Sequence, residues 1–287
     1  MVINELLAEG ITYLKDLEYA NPLFEARLIL AKVLNVDKSY IYTYGDKGVS
    51  EDQSQEFLKL IKKRSTAYPI AYLLNEKQFM GLDLYIEEGV LIPRPDTEIL
   101  VEYVLDYIKK HYNDKKINVL DIGIGSGAIS LSIANYCPNV RVYGMDIGYK
   151  PIRVSNINKE RLNLTNVSFH QGDLFHAIEN LNLKNKCEII ISNPPYIRKE
   201  DIKSLQKDVQ EFEPLLALDG GVDGLDFYRR ITKEAKDYLA PGGLLVYEIG
   251  FDQGIELKNI MLQEAYSDIE IIKDLSGLDR VVAGWLK

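Results

Sequence analysis

From Ile117 onward, short apolar runs alternate with helix-like segments: INVLDIG, AISLSIANY, VRVYGMDI, PIRVSNINKERL, VSFHQGD, CEIIISNPPY, LDFYRRITKEAKDYL and GGLLVYEIG. Runs that are apolar on both faces, each followed by a single helix, constrain the fold more than any other feature of the chain. Their strands should lie parallel, in a sheet covered by helices on both sides. The end breaks this rule, because IEIIKDL and RVVAGWLK are joined only by Ser276 to Asp279, too few residues for a crossover helix. Those two runs are expected to pair antiparallel. The predicted fold class is α/β: a doubly wound, mostly parallel sheet with an antiparallel final strand.

Upstream the periodicity differs. Residues 1–75 read as a small helical domain, opened by an amphipathic segment with Ile3, Leu6, Leu7, Ile11, Leu14 and Leu17 on one face. Asn21 as cap and Pro22 in the first turn announce a second helix. A third follows Ser50, with Phe57, Leu58 and Ile61 on its apolar side and Lys59, Lys62, Lys63 and Arg64 largely on a solvated one. Residues 76–92 change to short extended runs in which Gly81 and Gly89 offer turn positions, as in a β-hairpin linker. PRPDTE (93–98) then stiffens the chain and supplies Asp96 or Thr97 as a helix cap, opening a domain that fills 93–287.

Composition narrows the function classes. The chain is 46% hydrophobic and 27% charged, which suits a globular protein without long disordered tracts. A formal net charge of −9 would repel a phosphate backbone over most of the surface, so no stable nucleic-acid partner is expected. Neither a bilayer-spanning run nor a signal peptide is present, and the expectation is a cytoplasmic protein without membrane attachment. Cys137 and Cys187 lie apart from each other and from His111, His170 and His176, so no metal site is signalled and both cysteines read as small buried residues.

Four motifs carry chemistry. Between a strand and a helix stands Asp121-Ile-Gly-Ile-Gly-Ser-Gly127, where Gly123, Gly125 and Gly127, with Ile124 and Ser126 between them, let the backbone turn tightly beside unpaired N–H groups at a helix start. Such loops also occur in nicotinamide and flavin proteins. Asp146 ends the next strand, at the spacing where doubly wound folds place a carboxylate that accepts both hydroxyl hydrogens of a ribose. Asp173, after the third strand, would reach the same sheet edge and accept from an adenine amino group, with Leu174 packed on the ring. The fourth motif, Asn193-Pro-Pro-Tyr196, directly follows an apolar strand. Pro194 and Pro195 rigidify it and remove two donors. The Asn193 side-chain oxygen and the Pro194 carbonyl can grip both hydrogens of a planar NH₂ group, and Tyr196 offers a flat surface for it.

In their order, DIGIGSG, MDI, GDLF and SNPPY resemble the class I S-adenosylmethionine-dependent methyltransferases, and NPPY is similar to the branch acting on exocyclic amino or amide nitrogen. With LIPRPDTE upstream and EPLLALDGGVDGL downstream, the chain resembles the release-factor glutamine N5-methyltransferases, the HemK or PrmC family, over nearly its whole length. The resemblance implies a Rossmann-like methyltransferase sheet, S-adenosyl-L-methionine as cofactor and S-adenosyl-L-homocysteine as product. It further implies methylation of the glutamine in the Gly-Gly-Gln motif of class I peptide chain release factors, with the N-terminal domain helping to hold the factor. By matching motifs, Gly123, Gly125, Gly127, Asp146, Leu174 and Asn193 would touch the cofactor, and Asn193, Pro194, Pro195 and Tyr196 the glutamine. A monomer is the default expectation. One departure is Tyr72-Leu-Leu-Asn75, where the family usually has a glycine near the last position. Glu213-Pro214 and Glu248 match family segments, but spacing alone assigns them no role.

An amide nitrogen is a poor nucleophile, its lone pair being delocalised into the carbonyl. Such chemistry needs geometry more than a base: positioning is worth about 7–11 kcal/mol in favourable cases, and carbonyl acceptors stabilise the positive charge developing on nitrogen. The rival readings are an adenine-N6 or other nucleic-acid methyltransferase, since an adenine amino group is also a planar NH₂, a nicotinamide dehydrogenase, which leaves NPPY without a role, and a catalytically silent binding module.

Overall fold

Capping residues decide where the first helices begin. In the computed structural model, which describes residues 1–113 and 115–287, α1 (Ile3–Leu14) buries Ile3, Leu6, Leu7 and Leu14 and stops short of Leu17. Asn21 accepts the Phe24 amide at 3.1 Å and Pro22 occupies the first turn of α2 (Pro22–Leu34). Before α4 (Glu51–Arg64), Ser50 and Gln53 form a reciprocal capping box. Two further helices, α3 (Lys38–Thr43) and α5 (Ile70–Leu74), are too short to show a period in sequence. Asn75 ends α5 with φ +53°, in the left-handed region where glycine is usual and asparagine is the best-tolerated substitute, which accounts for the departure at this position.

The expected solvated basic face needs one correction. Arg64 is 5% exposed: its Nε and Nη2 donate to the two carboxylate oxygens of Glu25 on α2 at 2.7 and 3.2 Å, and its Nη1 to the Tyr68 carbonyl at 3.3 Å. Its planar fork lets one carboxylate take two bonds, compensating the desolvation of both charges. Contacts divide the described chain into two compact units, Met1–Glu76 with Gln206–Phe212, and Lys77–Leu205 with Glu213–Lys287. In the smaller unit, Phe212 at the end of a short helix lays its ring edge-on to Tyr68, centroids 5.2 Å apart.

The larger unit opens with a hairpin, β1 (Lys77–Phe79) and β2 (Leu82–Leu84), turning through Met80 and Gly81, both at positive φ. It is shorter than the segment 76–92. Beyond it, the Tyr85 amide and carbonyl pair with the Asn158 side chain at 2.6 and 3.0 Å instead of with a strand. Then follow α6 (Thr97–His111), β3 (Ile117–Ile122), α7 (Ala128–Tyr136), β4 (Val140–Asp146), α8 (Tyr149–Arg161), β5 (Val167–Gln171) and β6 (Cys187–Ser192). The chain ends with the short helix α9 (Lys207–Phe212) that joins the smaller unit, α10 (Asp226–Ala235), β7 (Leu239–Glu248), α11 (Gly254–Gln263), β8 (Tyr266–Lys273) and β9 (Asp279–Leu286).

Seven strands form one sheet in the order β5-β4-β3-β6-β7-β9-β8. The pairs among β3 to β7 are parallel, and β9 runs antiparallel to both β7 and β8, between which it lies. Val119, Leu120, Ile189, Ile190, Ile191, Leu244, Leu245 and Val246 are wholly buried, each worth about 1.5–3 kcal/mol of apolar burial. Strand order reverses at β3: the chain moves outward to β4 and β5, then returns to lay β6 on the other side. Such a reversal opens a crevice at the carboxyl ends of the two central strands, and there Ile122 and Ser192 are register partners. Cys187 is buried as expected, whereas Cys137, at the end of α7, is only half-buried. Among the described residues no helix is long and apolar enough to cross a membrane.

Candidate active site

At the end of β3 the chain turns through Gly123, Ile124, Gly125, Ser126 and Gly127 into α7. The three glycines have φ of +77°, +55° and +82°. At Gly127 space is closed as well, since a Cβ would come within 2.9 Å of Ser155 Oγ on α8. At Gly123 and Gly125 a Cβ would meet no atom within 4 Å, so this side of the loop presents bare backbone. Ile124 and Ser126 are buried and anchor the turn, and Ser155 Oγ donates to the Gly125 carbonyl at 3.2 Å.

Directly ahead of the loop, Asp121 is fully buried. Its Oδ2 accepts the amide and the hydroxyl of Ser130 at 3.0 and 2.6 Å, while Oδ1 has no hydrogen-bond partner among the described residues. Burial pushes this carboxyl up to about 7 against the pull of the Ser130 bonds. Buried polar atoms are rarely left unpaired without reason, and this one marks Asp121 as a member of the site that the sequence reading did not assign. The signal was present in its place at the head of DIGIGSG.

Asp146, at the end of β4, accepts the Gly125 amide on Oδ2 at 3.1 Å and the Gly148 amide on Oδ1 at 2.8 Å. It therefore ties the glycine loop to the start of α8. Burial raises its pKa and the two amide bonds lower it. Each oxygen retains capacity for a second donor. The Asp146 carbonyl accepts the Gly172 amide at 2.9 Å, which brings the GDLF segment to the same edge. There Asp173 Oδ2 is held by Arg230 Nη2 of α10 at 2.7 Å, both side chains near half exposure. Leu174 has φ +46° and is buried with Leu120, Ile122 and Met145 in the main core cluster.

The NPPY segment follows β6. Ser192 Oγ donates to the Ile122 carbonyl at 2.7 Å, tying it to the end of β3. Pro194 is buried, and Asn193, Pro195 and Tyr196 are half-buried. Asn193 Nδ2 donates to Thr97 Oγ1 at 3.3 Å, and Tyr196 Oη donates to Glu248 Oε1 at 3.4 Å. Glu248, the last residue of β7, is 1% exposed, and its Oε2 has no hydrogen-bond partner among the described residues. Burial pushes its carboxyl up to about 7, opposed by a hydrogen bond from Thr97 and the charge of Arg280. Burial together with the Glu248 charge raises the Tyr196 phenol, which stays a neutral donor.

The segment before α6 serves this cluster rather than capping the helix. Asp96 stands at the N-cap position but makes no side-chain cap bond; its Oδ2 faces Arg280 Nη2 at 3.3 Å, and Arg280 also pairs with Asp274 at 3.1 Å. Glu213, its side chain 1% exposed, pairs with Arg94 and accepts the Ile92 amide at 3.4 Å. These two contacts supply the missing role of the EP segment: its carboxylate clamps the start of PRPDTE. After Tyr196, residues 215–221 run beside the chain, with Ile197 donating to the Leu218 carbonyl and Lys199 to the Gly221 carbonyl, both at 3.0 Å.

The chain is similar to known proteins along nearly its whole length. Residues 5–74 match the model of the PrmC N-terminal domain, and residues 113–266 that of a methyltransferase domain. The solved structure of a methyltransferase from Pyrococcus furiosus has the same fold, with a TM-score of 0.51 at 18% identity over 71% of this chain and 89% of that one. The release factor glutamine methyltransferase of Clostridium acetobutylicum is 44% identical over 98% of both chains. That of Clostridium botulinum is 39% identical, again over 98% of both. Near-complete coverage at this identity extends through the helical unit as well as the sheet, and the chain belongs to the release factor glutamine methyltransferase family.

Proposed function

We propose that the protein transfers a methyl group from S-adenosylmethionine to the side-chain N5 of the glutamine in the Gly-Gly-Gln motif of class I peptide chain release factors, leaving S-adenosylhomocysteine. The observation that carries this reading is the pairing of Ile122 with Ser192, which sets the glycine loop and NPPY side by side at the crevice of the sheet. The residues present fit the cofactor: bare backbone at Gly123 and Gly125 suits close approach, and the unpaired Asp121 Oδ1 suits a cationic donor such as the ammonium of its methionine part. Gly123, Ile124, Gly125, Ser126, Gly127, Asp146, Asp173, Leu174 and Asn193 would hold it, and Asp146 would take the ribose hydroxyls. When bound, the cofactor supplies an electrophilic methyl on a sulfonium.

The chain's own residues then act by orientation. Asn193 Oδ1 and the Pro194 carbonyl accept the two N–H groups of the substrate amide, and Pro195 keeps the segment rigid. Tyr196 backs the flat amide. With both N–H bonds directed at these acceptors, the nitrogen lone pair is turned out of conjugation and toward the methyl. The same acceptors stabilise the positive charge that grows on nitrogen before it loses a proton. The helical unit, residues 1–75, holds the release factor, the setting is the cytoplasm, and no stable nucleic-acid partner is involved.

Mass spectrometry of a recombinant class I release factor, incubated with the protein and S-adenosylmethionine, tests the reading. One added methyl on the Gly-Gly-Gln glutamine is expected, and Asn193→Ala should abolish it while only weakening cofactor binding. Transfer to adenine in DNA or RNA instead would overturn the assigned substrate.

A further inference from the structure

We propose that Gln253 is a positioning residue for methyl transfer: with the loop 220–224 it clamps the backbone of Tyr196, so that NPPY keeps its shape around the substrate amide. The inference rests on the proposed function, because it concerns how NPPY is held for that reaction. It also gives a role to the GGVDG part of EPLLALDGGVDGL, a motif of which the site so far uses only Glu213. The two prolines set φ inside NPPY, but neither fixes the peptide that leaves it. Gln253 does so from the start of α11. It stands at the N-cap position yet makes no side-chain cap bond to its own helix. It is 3% exposed, and its amide is turned toward NPPY.

The three bonds of that amide all go to backbone groups. Nε2 donates to the Tyr196 carbonyl at 3.0 Å and to the Gly224 carbonyl at 3.3 Å, and Oε1 accepts the Gly250 amide at 3.0 Å. A carbonyl can only accept and a backbone N–H can only donate, so a flipped amide would set like against like at every partner. Packing closes the other side of the clamp. A Cβ at Gly220 would lie 2.7 Å from Tyr196 Cα and 2.8 Å from the Pro195 carbonyl oxygen, and one at Gly224 would lie 2.4 Å from the Tyr196 carbonyl oxygen. Bare backbone at these two positions lets the loop touch NPPY directly. The contact continues past Tyr196, with the Ile197 amide donating to the Leu218 carbonyl at 3.0 Å and the Gly220 amide to the Ile197 carbonyl at 2.9 Å. Holding Tyr196 at its Cα and its carbonyl holds its ring and, through the rigid prolines, the Pro194 carbonyl that is to receive the substrate amide.

Gln253→Glu keeps the size of the side chain and, when ionised, sets carboxylate oxygens against the Tyr196 and Gly224 carbonyls. When protonated it donates again to Tyr196 while still accepting from Gly250. With the release factor as substrate, kcat at about pH 8 should fall about 10- to 100-fold, as when a reacting group is displaced by about 1 Å. KM and the dissociation constant of S-adenosylmethionine should stay close to wild type. Relative to wild type at each pH, kcat should then recover by at least about fivefold between about pH 8 and pH 6, because a carboxyl buried among carbonyls takes up its proton well above the usual carboxylate range. Assays run well below the Tm of the variant keep loss of folded protein out of this comparison. Gly220→Ala leaves Gln253 intact but places a Cβ against Tyr196; it should lower kcat by at least about fivefold at both pH values, and it carries the test if the glutamate variant does not fold. Near-normal kcat in either folded variant, a loss in Gln253→Glu that is equal at both pH values, or a loss carried by KM or by the cofactor dissociation constant would each overturn the proposal. Wild-type transfer is measured in the same assay, so absence of transfer by wild type refutes the proposed function, whereas normal wild-type transfer with unaffected variants refutes only the clamp.

Discussion

Replacing Asp121 by asparagine should make stability less sensitive to pH, by an amount that follows from the burial of one carboxyl. Asp121 is fully buried, and its carboxyl stands at about 7 instead of 3.8. The folded pKa lies above the unfolded one. Between about pH 4 and 7 the folded protein therefore holds a proton that the unfolded chain has released, and stability falls as pH rises through that window, then levels off. Each unit is worth about 1.4 kcal/mol, so between pH 5 and 8 this carboxyl destabilises the wild-type protein by about 3 kcal/mol. The asparagine of the variant cannot ionise, and its side-chain oxygen can still accept both Ser130 bonds. Titrating groups that do not interact with Asp121, Glu248 among them, are common to both proteins and cancel in the difference, and the charge of Asp146 contributes only the smallest of the influences on Asp121. At about 2–4 °C per kcal/mol for a protein of this size, Tm of Asp121→Asn relative to wild type should rise by about 5–10 °C between pH 5 and pH 8. Thermal denaturation followed by circular dichroism at the two pH values, without S-adenosylmethionine, measures it. A difference in Tm that is the same at both pH values would refute the claim that burial perturbs this carboxyl.

Asp146→Ala removes the acceptor for the Gly125 and Gly148 amides, and the dissociation constant of S-adenosylmethionine, measured by calorimetry, should rise at least tenfold; an unchanged value would remove Asp146 from the cofactor site. In the smaller unit, Glu25→Gln leaves Arg64 buried without its counter-charge. Denaturant unfolding should show a loss of about 3–5 kcal/mol, as when one partner of a buried pair is removed, and a loss below about 1 kcal/mol would mean that the pair is solvated.

Features governed by neighbours along the chain were legible before folding was considered. The helix starts at Asn21 and Ser50 depend on side chains reaching amides three residues away, and the glycine loop depends on backbone angles that few other residues adopt. The end of the sheet was legible because four residues cannot cross over it. Asp96 illustrates the limit: its position before α6 suggested a cap, but a guanidinium far along the chain, Arg280, offered its carboxylate a better partner.

By itself, then, the sequence determined a parallel α/β sheet, the loops that its strands feed and the family to which the motifs point, because periodicity, capping and backbone preference act over a few residues. Tertiary structure alone decided that β9 would enter between β7 and β8, that Arg64 would be buried on Glu25, and that Asp173 would pair with Arg230. It alone also brought Thr97 to Asn193, 96 residues away, and Glu248 to Tyr196, 52 residues away. A side chain carries no local mark of a partner so distant in sequence; such pairs are chosen by how the sheet stacks its elements and by the cost of leaving a buried polar group unpaired.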